Sequence, residues 1–490
     1  MEETEKLLQF LQKEGFIWGP EPEIYGGKAG FYTYAPMGKL LKNNVENYIR
    51  KHFQEENFWE VECPTIMPKI VWKASGHLDS FTDKVVECKN CSSSFKADEF
   101  VDEINVKDLK KFFKEKKIKC PNCGSVLSPD LKEHNLMMKT TIGLDEEAYF
   151  RPETATTTYL PFKRYYEHFR KKLPFGVFQI GKAYRNEISP RKSLIRLREF
   201  IQAEAQMFIF EKQKNSFKKY EKYKNLKIPL LPEEAQGKKE QAKKITLNEA
   251  LKKKHFKSKA YAYAIALTYE LFKGLGIEEK NIRFREHPSA EKIFYAYEAW
   301  DLEVKLNTFG WTEMVGVHDR TDYDLKQHQK FSNQPMSVFN IENNEKEIPN
   351  IIEIAFGCDR PIYALFDLFY DVKSREKGKT IFKVPVHLSP VKIAVLPLVN
   401  KDKIPEMAES IYKELNENTD LTVSYDDTAS IGKRYLRQTM KGTALCLTVD
   451  YDSLKDKTVT LRERDTGKQI RVKRKDIIEK VNLFLKKGKF

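Results

Sequence analysis

The sequence predicts a mixed α/β (α+β) protein, in which a large domain with half-buried strands precedes a smaller α/β module. Apolar and polar residues alternate in the segments FGVFQIGKAYR and LREFIQAEAQMFIF, as they do in strands with one buried face. The order strand, helix, strand, helix, strand then appears between residues 391 and 450 and is typical of an α/β module. Between the two parts lies DVKSREKGKTIFKVPVH, whose composition is typical of a linker.

These patterns divide the 490 residues into a domain at 1–370, a linker at 371–387 and a C-terminal module at 388–490. Two segments of the first domain are predicted to be insertions. The first, 88–123, is bounded by cysteine pairs, and the second, 211–282, is rich in lysine and predicted to be helical.

The chain is strongly basic, with a formal net charge of +15 and an isoelectric point near 9.1. Such a balance favours a polyanionic partner. Residues 211–260 hold sixteen lysines against six acidic residues, which is consistent either with a solvated insertion or with a nucleic-acid contact. The start, MEETEKLLQF, does not resemble a secretory signal, and no apolar run approaches the roughly 18 residues of a membrane span. We therefore expect a cytoplasmic protein without membrane association.

Arginines are concentrated in the stretch AYRNEISPRKSLIRLREF. Strand alternation would place one set of its residues on one face, namely Arg196, Arg198, Phe200, Gln202 and Glu204. A solvated charged hairpin is one explanation. Because arginine forks bind phosphates and a phenylalanine offers a stacking surface, the pattern favours a nucleotide-binding floor.

The same stretch resembles motif 2 of the class II aminoacyl-tRNA synthetases, and NIIEIAFGCDRPIYALF resembles their motif 3. ECPTIMPKIVWKASGH is similar to motif 1, which builds the dimer interface in this class. RPETA, EIYGGKAGFYTYAPMG and WTEMVGVHDRTDYDL are similar to segments of the α2-type glycyl-tRNA synthetase family. The resemblance runs from about residue 5 to 485. It implies an antiparallel-sheet catalytic domain, a C-terminal anticodon-binding domain and a homodimer formed through motif 1.

The resemblance also implies an ATP site. Its residues would be Arg185, Asn186, Glu187, Arg196, Leu197, Phe200, Glu313, Met314 and Arg360. Two of them, Arg185 and Arg360, are the predicted catalytic residues. Arg185 would neutralise charge at the α-phosphate, Phe200 and Arg360 would enclose the adenine, and Glu313 would help to place Mg²⁺.

Glycine offers only an ammonium and a carboxylate. By similarity, its site would comprise Glu153, Glu204, Glu353, Ile354, Ala355 and Arg320, with the three glutamates around the ammonium and the arginine at the carboxylate. The sequence departs from the family at three places. Ala355 replaces a usual serine, Thr156-Thr157 replaces Gln-Gly, and Gln206-Met207 replaces Glu-His. We hypothesise that the glutamates still bind glycine, but more weakly or between different walls.

Cys88, Cys91, Cys120 and Cys123 have the spacing of a four-thiolate zinc site, because each CxxC pair can direct two sulfurs at one ion. Four unrelated reduced cysteines and a redox CxxC are the alternatives. The resemblance implies that the zinc is structural. In the C-terminal module, Lys433, Arg434 and Arg437 are candidates for contact with a tRNA backbone, and a basic tail follows.

The sequence therefore predicts an enzyme that activates glycine with ATP and transfers it to the 3′ end of tRNA(Gly). Its partners would be glycine, ATP with Mg²⁺, tRNA(Gly) and a second copy of the chain. The alternatives are another class II synthetase, of the threonyl or prolyl type, or a non-catalytic synthetase-like protein that binds tRNA.

Overall fold

The computed structural model describes residues 2–101, 109–188, 190, 193–289, 296–371 and 380–490. Within them, a nine-stranded sheet, here called the main sheet, forms the centre of the large domain. Its neighbouring strands are antiparallel except for two pairs, β-strand 227–231 with 282–286 and 58–60 with 175–184. In spatial order the strands are Lys243–Thr246, Lys227–Leu231, Ile282–Glu286, Glu298–Leu306, Gly310–Thr321, Asn350–Gly357, Glu199–Ile209, Phe175–Tyr184 and Phe58–Glu60.

The two faces of the main sheet differ because apolar and polar residues alternate along its central strands. One face packs against the helices Pro36–Glu55 and Lys259–Gly274 in the largest hydrophobic core. Ala205 and Ile354 lie in that core, whereas Glu204 and Ala355 line a cavity on the other face. A shift of register by one residue would exchange the two sets, so the buried face fixes the position of the polar one.

The sequence predicts that the lysine-rich segment is helical, but the structure contains strands there as well as helices. The segment includes the strands Lys227–Leu231 and Lys243–Thr246, which extend one edge of the main sheet. Its long helix, Lys259–Gly274, is buried along most of its length. Ile228 and Leu230 are buried as well, so the lysines surround a packed part of the domain.

The C-terminal module has a five-stranded sheet of its own, in the order Val423–Tyr425, Ile393–Pro397, Leu445–Val449, Thr458–Glu463 and Gln469–Lys473. The predicted strand and helix order is observed between 391 and 450. The expected basic tail instead forms two antiparallel strands and the helix Ile477–Lys487. Arg434 is 2% exposed and donates to the carbonyl of Pro397, so it supports this module internally rather than facing a phosphate backbone.

The remaining elements surround these two sheets. Two three-stranded sheets comprise Ile66–Pro68, Glu146–Phe150, Met138–Ile142 and Ser94–Lys96, Thr82–Glu87, Leu131–Asn135. Three two-stranded sheets comprise Ile17–Trp18 with Thr33–Tyr34, Val338–Asn340 with Glu345–Glu347, and Tyr370–Asp371 with Ile381–Phe382. The further α-helices are Glu2–Lys13, Lys69–Ala74, His77–Ser80, Leu109–Lys116, Ala155–Tyr159, Phe162–His168, Glu233–Gly237, Leu247–Lys252, Tyr323–Ser332, Asp359–Phe369, Ile404–Asn418, Ile431–Met440 and Tyr451–Asp456.

The predicted linker at 371–387 is partly structured, because Phe382 is buried and its strand pairs with Tyr370–Asp371. Residues 372–379 lie outside the described part of the chain. The side chain of Asn44 donates to the carbonyls of Leu388 and Ser389 and so joins the large domain to the start of the module. Among the described residues, none of the helices combines the length and apolar character that crossing a bilayer requires.

Candidate active site

A cavity of about 650 Å³ lies on the polar face of the main sheet. Its floor is formed by side chains from neighbouring strands that stand in register. Glu204 pairs with Ala355, which pairs with Gly316, and in the next row Glu353 pairs with His318. Neighbouring strands lie about 4.8 Å apart, so these rows bring the side chains together.

Thirteen of the predicted site residues line this cavity: Glu153, Arg185, Glu187, Arg196, Leu197, Phe200, Glu204, Glu313, Met314, Arg320, Glu353, Ala355 and Arg360. Two others do not. Ile354 points into the core on the opposite face, as strand alternation requires beside Glu353. Asn186 is exposed outside the cavity, and its backbone N–H donates to the carbonyl of Leu136.

Glu353 is held by three partners in a buried network. Tyr159 donates its hydroxyl to Oε2 at 2.6 Å, and Arg320 Nη1 and His318 Nδ1 lie 3.2 and 3.3 Å from Oε1. Burial alone would raise the pKa of the Glu353 carboxyl, but the charges of Arg320 and His318 bring it below its usual value. Glu353 is therefore ionised.

Arg320 differs from its predicted role. Its Nε and Nη2 donate to the two carboxylate oxygens of Asp324 at 2.8 and 2.9 Å, while Nη1 contacts Glu353. The side chain is only 4% exposed. A guanidinium engaged by two carboxylates is suited to holding Glu353 in place rather than to receiving the carboxylate of a small zwitterion.

Glu153 is positioned by residues that the sequence did not identify as partners. Thr156 donates to Oε1 at 2.8 Å, and His77 Nε2 lies 3.5 Å from Oε2. Ser75 Oγ in turn lies 2.8 Å from His77 Nδ1. Burial would raise the pKa of Glu153, but the nearby His77 outweighs that effect and the pKa falls below its usual value. Thr156, one of the departures from the family, therefore supports the carboxylate.

Glu204 is the exception among the three glutamates. Thr154 donates to its Oε2 at 2.6 Å, but no cation contacts it in the described structure. Burial, followed by the charges of Glu353 and Glu153, raises the pKa of the Glu204 carboxyl well above its usual value. Two carboxyls with lowered pKa values and a third with a raised pKa therefore face the same cavity, where a small cation would favour ionisation of the third.

Arginines and aromatic rings surround the other end of the cavity. The Arg185 guanidinium carbon lies 5.3 Å from the ring centre of Phe81 and 5.4 Å from that of Phe200. Arg360 Nη1 donates to Glu313 Oε1 at 2.9 Å, and this arginine lowers the pKa of Glu313. Glu313 is thus paired with Arg360 in the structure, whereas the predicted role of its carboxylate is to help place Mg²⁺.

The arginine hairpin is less regular than predicted. Its second strand begins at Glu199, so Arg196 and Arg198 precede it. Arg198 donates to the backbone carbonyls of Ala29 and Glu187 and acts as a structural brace. Arg196 does reach the cavity. Arg191, the fourth arginine of the stretch, lies outside the described residues.

The four cysteines of the insertion come together as predicted. Their sulfurs all lie within 4.8 Å of one another, with Cys88 Sγ 3.5 Å from Cys123 Sγ and Cys91 Sγ 3.6 Å from Cys120 Sγ. Tetrahedral Zn²⁺ with bonds of about 2.3 Å places its sulfurs about 3.8 Å apart, so the set fits this ion.

The insertion also touches the cavity. Its Lys96 lines the cavity and lies 3.0 Å from Asp83 Oδ1, another lining residue. Glu99 Oε1 lies 3.2 Å from Arg196 Nη1. No sequence pattern indicated the contact of Glu99 with Arg196, because the two residues are 97 positions apart.

Comparison with known proteins identifies both parts of the chain. Residues 139–228 match a family model described as tRNA synthetase class II core domain (G, H, P, S and T), and residues 392–482 match the anticodon binding domain. The chain is 37% identical to the glycine–tRNA ligase of Methanococcus vannielii, over 96% of this chain and 98% of the relative. It is also 37% identical to the same enzymes of Methanocaldococcus jannaschii and Pyrococcus horikoshii, over 97% of this chain and 98% of each relative.

A solved structure shares the fold. It is the crystal structure titled as the RNA binding domain of threonyl-tRNA synthetase from Cryptosporidium parvum, with a TM-score of 0.58 and 19% identity, covering 93% of this chain and 92% of that one. The predicted fold class, a class II core followed by an anticodon-binding domain, is confirmed.

Proposed function

The chain belongs to the glycine–tRNA ligase family, and from this premise we propose that the cavity on the main sheet is where it activates glycine with ATP. The observation that carries the proposal is the convergence of Glu153, Glu204 and Glu353 on one cavity that also holds Arg185 and Arg360. The glycyl group is then transferred to the 3′-terminal adenosine of tRNA(Gly).

The first step needs alignment and charge neutralisation rather than a protein nucleophile. The carboxylate of glycine attacks the α-phosphorus of ATP, a P–O bond forms, and pyrophosphate leaves with the electrons of the broken bond. Arg185 would neutralise charge at the α-phosphate, and Phe200 and Arg360 would enclose the adenine. Arg360 contacts Glu313 in the free enzyme, so ATP binding would separate this pair. Arg360 would then contact the adenine base, and Glu313 would face the bound Mg²⁺. Mg²⁺ would enter with the triphosphate.

The second step uses the same site. A ribose hydroxyl of the terminal adenosine attacks the carbonyl carbon of the adenylate, and AMP leaves. The glycine ammonium would lie among the three glutamates throughout. Attraction alone discriminates one methylene by only about 1–3 kcal/mol. Amino acids with side chains would therefore be excluded sterically, by the rigid surroundings of Glu353 that Tyr159, His318 and Arg320 form.

We further propose structural Zn²⁺ on Cys88, Cys91, Cys120 and Cys123, a homodimer formed through motif 1, and cytoplasmic localisation. Exposed apolar side chains on the motif 1 segment and the strand before it support the dimer, since Trp59, Ile66 and Ile70 are 59%, 36% and 52% exposed. We also propose that the catalytic domain ends at residue 370 and that the anticodon-binding domain begins at residue 388.

ATP–pyrophosphate exchange with each amino acid in turn tests this function. Exchange with glycine, and little with threonine or proline, is expected. Exchange driven by threonine or proline would favour the alternative synthetases, and none with any amino acid would favour a non-catalytic tRNA-binding protein.

The KM for glycine should fall as pH rises above the ordinary pKa of a glutamate carboxyl, about 4.3. The ammonium needs an ionised Glu204, and a carboxyl with a raised pKa gains its charge only as pH rises through that value. Glu153 and Glu353 are ionised already and add no slope. Steady-state exchange kinetics at saturating ATP measure this dependence, and Glu204→Gln should flatten it. A flat profile in the unmodified enzyme would contradict the assignment.

Ala355→Ser should lower the KM for glycine. Ala355 stands in the row between Glu204 and Gly316, so a serine hydroxyl would face the bound zwitterion. The same kinetics measure it, with the KM for ATP as the internal control. An unchanged KM for glycine would show that the missing hydroxyl is not what weakens binding.

Loss of zinc should raise the KM for ATP several-fold with little change in the KM for glycine. The insertion places Lys96 in the cavity wall and Glu99 3.2 Å from Arg196, a residue of the predicted ATP site. Cys120→Ser tests this, with Cys446→Ser in the C-terminal module as the matched control. Equal effects of both variants on the two KM values would mean a general loss of stability.

A further inference from the structure

A second cluster of possible metal ligands lies in the same cavity and includes His318, which also contacts Glu353. His287, Asp301 and His318 each present one ligand atom, and these atoms lie within 4.8 Å of one another. All three residues line the cavity. His287 and His318 are 13% and 12% exposed, and Asp301 is 5% exposed.

The main sheet builds this cluster from three adjacent strands. Asp301 pairs with Gly316, and His318 stands two residues further along the same strand and on the same face. Gly316 makes the arrangement possible, because a Cβ at that position would lie 2.5 Å from His318 Cε1. His287 follows the strand Ile282–Glu286, and its ring meets that of His318 edge to face with centres 6.0 Å apart.

Three of the four ring nitrogens, both of His287 and Nδ1 of His318, make no well-aligned hydrogen bond among the described residues. His287 Nε2 approaches Asp301 Oδ2 to 2.7 Å, yet neither ring nitrogen of His287 makes an aligned hydrogen bond. His318 Nδ1 lies 3.3 Å from Glu353 and is also without one. Buried imidazole nitrogens normally have partners. Here His287 Nε2 lies near Asp301 and His318 Nδ1 near Glu353, and both histidines line the cavity.

Other charged groups nearby leave the balance suitable for a cation. Arg285 Nη2 lies 3.5 Å from Asp301 Oδ2, and Arg320 contacts Glu353 from the other side. Arg283 is paired with Glu303, and Arg360 with Glu313. Against these four guanidinium groups stand five carboxylates, those of Asp301, Glu303, Glu313, Glu353 and Asp324.

We propose that His287, Asp301 and His318 bind a divalent transition-metal ion, with Zn²⁺ best matched to two imidazoles and one carboxylate. Mg²⁺ prefers oxygen ligands only, so the site would be distinct from the Mg²⁺ that accompanies ATP. Three protein ligands leave a coordination position open, as in zinc sites that also bind a small molecule. The next step rests on the proposed function. The open position would take an oxygen of the glycine carboxylate or of the α-phosphate. His318 lies beside Glu353 and His287 lies near Glu313, the partner of Arg360.

Metal stoichiometry of the full chain tests the site without any substrate. Protein stripped with a chelator is titrated with Zn²⁺, freed of excess by gel filtration, and analysed for bound metal by mass spectrometry. The unmodified chain should retain two ions, one on the cysteines and one on the new site. His318→Ala should retain one, as should Cys120→Ser, whereas His168→Ala, which changes an exposed histidine outside the cavity, should retain two.

Cobalt identifies which site each ion occupies. The ion lost in His318→Ala should lack the intense thiolate charge-transfer absorption that the cysteine site gives. Asp301→Asn, nearly equal in shape, replaces His318→Ala if the latter does not fold. An unmodified chain with a single ion, or two ions retained in both His318→Ala and Asp301→Asn, would overturn the proposal. Because no reaction is measured, either result is independent of whether glycine is the substrate.

Discussion

Replacing Arg185 with alanine should lower the rate of glycine-dependent ATP–pyrophosphate exchange by about 10²–10³-fold. Arg185 is held by the carbonyl of Pro152 and lies between the rings of Phe81 and Phe200, so its guanidinium is already oriented before ATP arrives. A preorganised charge that meets the developing negative charge on the α-phosphate lowers the barrier more than it tightens ground-state binding. The fall should therefore appear mainly in kcat.

The matched control for this change is Arg164→Ala, because Arg164 is an exposed arginine outside the cavity. Exchange by that variant should remain within about twofold of the unmodified enzyme. If Arg185→Ala changed only the KM for ATP, the arginine would contribute uniform binding rather than transition-state stabilisation. If exchange were unaffected, the nucleotide end of the cavity would have to be reassigned.

Glu353→Gln should lower kcat/KM for glycine by about 100-fold or more, the size of effect found when one partner of a buried charge pair is removed. The amide keeps the shape of the side chain but loses the charge that faces the ammonium. It also weakens the contacts to Arg320 and Tyr159, which keep the carboxylate fixed. The KM for ATP should change much less, since the proposed site for the adenine and triphosphate is at the arginine end of the cavity.

Glu345→Gln is the control, because Glu345 is exposed on a short strand outside the cavity. The thermal midpoint of both variants should be measured, since Glu353→Gln removes the charge of one carboxylate partner of Arg320. A variant that folds and binds glycine normally would contradict the three-carboxylate site.

Much of the site could be predicted because alternation along a strand is a local property. The pattern of LREFIQAEAQMFIF placed Glu204 on the face opposite to Ala205, and the structure has it so. The same rule would have excluded the side chain of Ile354 from the cavity, since it follows Glu353 directly. The resemblance to class II synthetases supplied what alternation cannot, namely which polar faces lie together.

The remaining contacts could not be read from the sequence because they join distant segments. His77 reaches Glu153, Tyr159 reaches Glu353, and Glu99 reaches Arg196 only after the domain has folded. The strands of the lysine-rich segment were missed for another reason. Lysines dominate its composition, and the two strands that extend the edge of the main sheet, KIPLL and KKIT, are only five and four residues long.

A crystal structure with a non-hydrolysable glycyl-adenylate analogue tests the central claim most directly. We expect the ammonium nitrogen of the analogue to lie about 2.7–3.2 Å from oxygens of Glu153, Glu204 and Glu353. We also expect the adenine to lie against Phe200 and Arg360. An analogue bound with its ammonium away from these carboxylates, or in a different cavity, would contradict the account.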